Sequence, residues 1–239
     1  MFSPAIEKQR QQLYAHTVEQ MEQRLHGVTE AVPAFAALRW GMDAIDRAYE
    51  TTPAKIRAQV ACRAGCGHCC QVSVDVQAHE VFFAAEFIQV NFSPEALAEV
   101  ITKTAARRVA LAAATATKTG TDKGGRDRFM QACALLRDGS CSIYAGRPEA
   151  CRVHHASDAS VCAAHIADPT VDLTKVYVPP LRARLFAVML GMDEAIEAES
   201  FDDRAYDFGA ALHEALTNSL CLTLWLRRKP AFPDSCLAG

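Results

Sequence analysis

Residues 62–70 read Cys62-Arg-Ala-Gly-Cys66-Gly-His-Cys69-Cys70 and place four thiols within nine positions of the chain. Four sulfurs so close together cannot all point into an apolar interior without meeting one another. Thiolates are soft, negatively charged ligands, and a group of them is tolerated when a cation neutralises their charge. The two glycines let the backbone curl so that successive sulfurs face inward. The stretch therefore predicts a metal site.

A second group of cysteines lies further along the chain, around the sequence Cys141-Ser-Ile-Tyr-Ala-Gly-Arg-Pro-Glu-Ala-Cys151-Arg152. We predict that the two groups converge on one metal centre or two. Cys162 is a further candidate ligand. Adjacent side chains diverge along an ordinary backbone, so one thiol of the Cys69–Cys70 pair is expected to serve a second metal, to bridge or to stay in reserve. The predicted metal ligands are Cys62, Cys66, Cys69, Cys70, Cys133, Cys141 and Cys151.

The composition of the 239-residue chain excludes several classes of protein. Half of the residues are apolar, 22% are charged and the formal net charge is −3. No basic face for nucleic acid is indicated. The N-terminus turns polar at once, and the longest apolar stretch, residues 185–192, is too short for a membrane span. We therefore expect a cytoplasmic chain with no membrane or nucleic-acid partner. Disulfides are rare in that compartment, so a disulfide framework is the less favoured explanation of ten cysteines.

The rest of the sequence predicts a mainly α fold, a helical domain wrapped around the cysteine-rich metal-binding core with little strand. We expect one domain, residues 1–239, with the cysteine-cluster region at 62–152. Residues 72–76 alternate as a strand would, 117–125 read as a loop, and 154–169 as polar and irregular. Asp138-Gly139 predicts a hairpin turn, and Pro148 a short helical turn. Helices are predicted over residues 7–26, 33–49, 53–61, 77–90, 94–116, 179–198, 202–218 and 220–228.

The two cysteine groups together resemble the zinc- or iron-chelating cysteine-cluster family (YkgJ-like). The shared pattern is Cys-x-x-Gly-Cys-x-x-Cys-Cys followed by Cys…Gly-x-Cys-x-Ile-Tyr-x-x-Arg-Pro-x-x-Cys-Arg, and it covers roughly residues 62–152. A related cysteine-cluster region occurs in flagellin lysine methylases. The resemblance implies metal chelation and leaves catalysis open. The matching positions are Cys62, Gly65, Cys66, Cys69, Cys70, Cys133, Gly139, Cys141, Ile143, Tyr144, Arg147, Pro148, Cys151 and Arg152.

The number of thiols bears on the identity of the metal. A structural zinc takes four ligands, and seven or eight thiolates exceed that number. We therefore favour an iron–sulfur cluster, of the [4Fe–4S] type, over zinc. The spacing Cys62-x-x-x-Cys66-x-x-Cys69 also occurs in radical-SAM enzymes. That alternative is less favoured, because their fold requires repeated βα units where this chain supplies Ala-rich helices.

Several polar residues lie near the two cysteine groups in sequence. Arg147 and Arg152 are expected beside the cofactor, where they would neutralise thiolate charge, and Tyr144 is expected to pack there. His154 or His155 could complete the metal shell or lie behind it, whereas His68 is expected near the metal without binding it. His79 and Glu80 are predicted on the solvated edge of a helix. Cys221 is predicted to be buried and Cys236 exposed.

Two classes of function remain open at this point. In one, the cluster is a cofactor of an oxidoreductase or a group-transfer enzyme. In the other, the metal is structural or sensory, and the helical ends bind a protein partner.

Overall fold

The computed structural model describes residues 4–116 and 131–238, so the loop predicted at 117–125 lies outside the described residues. Within those two ranges the chain forms ten α-helices and two small sheets, which confirms the prediction of a mainly α fold. No helix in the described ranges is long and apolar enough to cross a membrane. The helices are α1 (Pro4–Leu25), α2 (Ala31–Glu50), α3 (Ala54–Arg57), α4 (Ala78–Asn91), α5 (Pro94–Ala116), α6 (Glu149–Val153), α7 (Ala159–Ala167), α8 (Pro179–Ala198), α9 (Phe208–Thr217) and α10 (Leu220–Leu226).

Two antiparallel strand pairs hold the loops of the cysteine region. Strand β1 (Asp75–Val76) pairs with β4 (Tyr206–Asp207), and β2 (Leu136–Arg137) pairs with β3 (Ser140–Cys141). The turn between β2 and β3 is the predicted Asp-Gly turn. Its two central residues have φ of 49° and 75°, the positive values that a tight two-residue hairpin requires. The hairpin places Cys141 in β3, opposite Leu136.

Helices α1, α2 and α8 form a bundle on one side of the molecule, with α1 and α8 in the most extensive contact. Gly191 of α8 allows the close approach, because a Cβ built there would lie 2.9 Å from both the Thr17 Cβ and the Tyr14 carbonyl oxygen of α1. Gly41 of α2 faces the flexible end of the Met192 side chain. The contact at Gly191 is therefore limited by the main chain of α1, whereas the contact at Gly41 involves a flexible side chain.

Gly191→Ala is expected to lower the melting temperature by roughly 5 °C, because the added methyl forces α1 away from α8 at a cost of about 1–3 kcal/mol. The matched control is Gly41→Ala, where the added methyl meets only the flexible Met192 side chain and alanine favours the helix. Differential scanning calorimetry measures both. Equal melting temperatures for the two variants would show that the α1–α8 spacing is not set at Gly191.

Helix α4 lies at the centre of the molecule and packs against α2, α9 and the 3₁₀ turn Tyr144–Gly146. Its residues 78–85 are buried without interruption. The prediction that His79 and Glu80 lie on a solvated edge is therefore wrong, since their exposed fractions are 0% and 4%. A capping box with Gln77 uses the Glu80 carboxylate at the start of the helix. This central helix supports the loop before Cys151, because the Glu80 carboxylate also accepts a hydrogen bond from the Ala150 N–H.

The C-terminal segment closes the core beside α4. The Trp225 ring packs against Phe82 and Phe201, at centroid distances of 5.5 Å and 4.4 Å. Cys221 is buried, as predicted, but Cys236 is fully buried and the expectation of exposure is wrong. Cys236 ends a 3₁₀ turn (Asp234–Cys236), and the next residue bridges to β4, so the end of the chain is fixed against the core.

Two predicted boundaries are corrected by the structure. The segment 154–169 was expected to be irregular, yet it contains α7, which begins after Asp158. The Asp158 carboxylate accepts a hydrogen bond from the Ser160 N–H, so it caps the helix. The helix predicted over 202–218 begins only at Phe208, because residues 206–207 pair with β1. The first correction matters for the site, since α7 carries Cys162.

Candidate metal centre

The first cysteine segment folds as two successive tight turns. The Cys66 N–H donates to the Arg63 carbonyl, and the Cys70 N–H donates to the Gly67 carbonyl. Gly67 lies against the Asp-Gly hairpin, where an added Cβ would be 2.9 Å from the Gly139 carbonyl oxygen. Glycine is therefore required at 67 because the two cysteine-bearing loops touch at this point.

Main-chain hydrogen bonds join segments that are far apart in the sequence. The Cys133 N–H donates to the Cys70 carbonyl at 2.7 Å, and the Ala61 N–H donates to the Ala156 carbonyl at 2.9 Å. The Ala156 N–H in turn donates to the Cys62 Sγ at 3.2 Å. Such N–H···S bonds stabilise a sulfur in its thiolate form. The protein frame itself therefore brings the two cysteine groups together.

Eight thiols line one cleft between these segments. The set contains all seven predicted ligands and Cys162, which α7 adds from the side. All eight are free thiols, and α7 packs on the 3₁₀ turn His68–Gln71. Cys221 and Cys236 lie in the core instead. The cleft thiols are Cys62, Cys66, Cys69, Cys70, Cys133, Cys141, Cys151 and Cys162.

Most thiols of the cleft resist ionisation in the absence of a cation. Burial raises the pKa of most of them, and the pKa of Cys151 lies well above its ordinary value because burial is joined by the charges of Cys133 and Cys69. A cation bound by these sulfurs must therefore displace protons. The thiols with raised pKa through burial are Cys62, Cys133, Cys141, Cys151 and Cys162.

The adjacent pair Cys69 and Cys70 behaves differently from the other thiols. A hydrogen bond between the two sulfurs is the main cause that lowers the pKa of Cys69 to about 7, and the Arg147 charge lowers it further. The same hydrogen bond, with burial, raises the pKa of Cys70. Cys69 is also exposed. It is therefore the thiol most readily ionised at neutral pH.

The spacing of the sulfurs can be compared with a zinc site. Four thiolates at about 2.3 Å from a tetrahedral zinc lie about 3.8 Å from one another. In the described ranges, no three cysteine sulfurs lie within 4.8 Å of one another. The donor set is soft, as zinc or iron requires, but the thiols are spread more widely than the corners of one zinc tetrahedron.

The three residues predicted beside the cofactor all line the cleft. The Arg147 guanidinium lies 3.8 Å from the centroid of the Tyr144 ring and donates to the Tyr144 carbonyl. Arg152 is buried, and its guanidinium donates to the carbonyls of Ala145 and Arg147 and to the Asp46 carboxylate. Arg147 therefore supplies positive charge near the thiols, whereas Arg152 shapes the loop that carries them.

Two histidines stand at the edge of the cleft. The His155 ring stacks on Tyr49 at a centroid distance of 5.0 Å, and burial lowers the pKa of His155 to about 4. His155 is thus neutral at physiological pH, the form in which imidazole binds metals. His154 packs edge-on against Tyr177. Both histidines and His68 line the cleft together with the thiols.

Comparison with known protein families gives a match over the same part of the chain. Residues 61–169 match the CxxCxxCC family model, whose description is "putative zinc- or iron-chelating domain". The match covers just under half of the chain, and these residues are similar to that family. The matched stretch contains all eight cleft thiols, together with α4 to α7, so the resemblance seen in the sequence is confirmed and metal binding by this region is supported. No curated protein and no solved structure shows significant similarity to the chain.

The sequence did not reveal a second cluster of ligand-type side chains below the cleft. His79, Glu149 and Asp193 come from α4, α6 and α8, and their ligand atoms lie within 4.8 Å of one another. Residues on three separate helices carry no common spacing that a sequence could show. The available signals were the acidic side chain of Asp193 beside an apolar stretch and Glu149 between Pro148 and Cys151.

Proposed function

We propose that the cleft binds an iron–sulfur cluster of the [4Fe–4S] type through thiolates from both cysteine segments. The observation that carries the proposal is the convergence of eight free thiols of which no three described sulfurs lie close enough for one zinc ion. A cluster with bridging sulfides has separate iron corners, so its cysteine ligands lie further apart than those of a single ion. A [4Fe–4S] cluster takes four thiolate ligands, and we propose that they come from the seven predicted cysteines and Cys162.

The surroundings of the thiols favour a cofactor over a purely structural metal. Arg147 provides positive charge beside Cys69, and the exposed Cys69 marks an edge of the cleft that solvent reaches. His154 and His155 line the same cleft. An iron–sulfur cluster supplies one-electron transfer, or an iron corner for group-transfer chemistry when one corner lacks a protein ligand. We propose that the chain works as one α-rich unit around this centre.

The test is anaerobic purification followed by analysis of iron, zinc and acid-labile sulfide and by a UV–visible spectrum. We expect brown protein with about four iron and four sulfide per chain and thiolate-to-iron charge-transfer absorption. Colourless protein with stoichiometric zinc would overturn the cluster.

Matched variants locate the cluster within the chain. Cys66→Ser and Cys141→Ser remove one thiol from each segment, and both are expected to lose the chromophore. Cys221→Ser removes a buried thiol outside the cleft and is expected to keep it. If the chromophore survives in Cys141→Ser, Cys141 is not a ligand of the cluster.

A structural zinc protein that binds a partner is the second candidate. The observation that favours it is a pair of leucines four residues apart on α10, Leu220 and Leu224, which are 65% and 40% exposed. If the purified protein contains zinc and no iron, this face of α10 becomes the candidate surface for binding a partner. The radical-SAM alternative has less support, because the described ranges contain two-stranded antiparallel sheets and no βα repeat.

A further inference from the structure

A second group of candidate ligands lies inside the protein, where α4, α6 and α8 meet. His79 and Glu149 are buried, with side-chain exposures of 0% and 1%, and the His79 Nε2 lies 2.5 Å from the Glu149 Oε1. Asp193 completes the group and is half-buried. The ligand atoms of His79, Glu149 and Asp193 all lie within 4.8 Å of one another. Within residues 4–116 and 131–238, no other group of three histidine, cysteine or carboxylate side chains is as close.

The polar atoms of this group are incompletely satisfied. The Glu149 Oε2 and the His79 Nδ1 are buried and have no hydrogen-bond partner among the described residues. The neighbouring Glu80 differs, since its two carboxylate oxygens accept hydrogen bonds from the Gln77 and Ala150 N–H groups. Buried polar atoms are almost always paired, so an orphaned carboxylate oxygen beside a second carboxylate points to a missing positive partner.

Among the described residues, no lysine or arginine side chain fills this place. Arg152 is the basic residue whose charge acts on Glu149, but its N–H groups donate to Asp46 and to the carbonyls of Ala145 and Arg147. Two carboxylates in contact cannot satisfy each other when both are ionised. Either a proton or a cation must therefore lie between Glu149 and Asp193.

We propose that His79, Glu149 and Asp193 bind a divalent cation of the Mn²⁺ or Fe²⁺ class, at a site separate from the thiolate centre. One imidazole and two carboxylates form a nitrogen–oxygen donor set, which suits these harder ions, whereas the cleft thiols select soft metals. Three protein ligands of these types are the usual number in metal sites that keep a further position open. The half-buried Asp193 provides the side of the site that faces solvent. Both centres share α6, which carries Glu149 and Cys151.

The probe is Mn²⁺, which thiolates bind weakly. The protein is purified anaerobically and dialysed against EDTA to remove ions held by oxygen and nitrogen ligands. It is then titrated with Mn²⁺, and free Mn²⁺ is followed by its EPR signal. We expect one bound Mn²⁺ per chain in the unmodified protein. Glu149→Gln and Asp193→Asn, which keep the shapes of their side chains and remove a charge, are expected to weaken binding at least tenfold.

Glu86→Gln is the matched control, because Glu86 lies on the same central helix but pairs with Arg39 at the surface. It is expected to bind Mn²⁺ as the unmodified protein does. Circular dichroism checks the fold of each variant. If the more buried Glu149→Gln does not fold, the affinity of Asp193→Asn for Mn²⁺ decides the question. The proposal is overturned if the unmodified protein binds no Mn²⁺, or if Asp193→Asn binds it with unchanged affinity.

Discussion

Removal of the metal is expected to lower the melting temperature of the protein by about 10–20 °C. The cleft joins Cys70 and Cys133, which are far apart in sequence, so a metal held by both segments stabilises the folded chain and has no equivalent site in the unfolded one. A loss of about 5 kcal/mol corresponds to a shift of this size in a chain of this length, at roughly 2–4 °C per kcal/mol. Thermal unfolding with and without a strong chelator, followed by circular dichroism, measures it.

Cys66→Ser is expected to reproduce the effect of the chelator, since serine is a poor ligand for a soft metal. The control is Cys221→Ala, which removes a buried thiol of α10 outside the cleft and should leave the metal content unchanged. An unchanged melting temperature after complete removal of the metal would mean that the hydrogen bonds between the loops suffice to hold the fold.

The second large effect is expected for Arg107→Ala. The buried Arg107 guanidinium donates to the Gln131 carbonyl at 2.8 Å and to the Ser73 hydroxyl at 2.9 Å, and it lies 3.5 Å from the Asp207 carboxylate. Its loss leaves Asp207 buried without its cation and frees the main chain before Cys133. Breaking a buried ion pair costs about 3–5 kcal/mol, so the melting temperature should fall by roughly 10 °C.

Arg108→Ala is the matched control for this prediction. Arg108 is the next residue of α5, and its pairing with Glu214 is partly exposed, so we expect a loss of less than about 1 kcal/mol. The reactivity of Cys133 provides an independent measurement. Because Arg107 holds the main chain at Gln131, Arg107→Ala should increase the rate at which a thiol reagent modifies Cys133. Equal melting temperatures for the two variants would rule out a structural role for the buried guanidinium.

Local sequence chemistry was sufficient to predict much of this molecule. The helical stretches with one apolar face, such as α2, follow directly from their spacing, and the Asp-Gly hairpin follows from the backbone freedom of its residues. The cysteine cleft was predictable because thiols crowded within one stretch require a common partner. Cys162 entered the sequence analysis only as an additional candidate, since its position depends on the packing of α7.

Features that depend on long-range packing were predicted less well. Helix α4 is buried on nearly all sides, so its sequence has no polar face from which the burial of His79 could be inferred. The burial of Cys236 depends on β4 receiving the end of the chain, which the local sequence does not encode. The cluster of His79, Glu149 and Asp193 likewise exists only after three helices have packed.

The convergence of eight thiols in one cleft has a practical consequence for the handling of the protein in air. Eight cysteines can be joined into disulfides in about a hundred different ways, and all eight thiols line this one cleft. The metal-free chain is therefore expected to oxidise into a mixture of cross-linked forms, with the exposed, readily ionised Cys69 reacting first. Reducing conditions must precede removal of the metal if the same molecule is to be reconstituted afterwards.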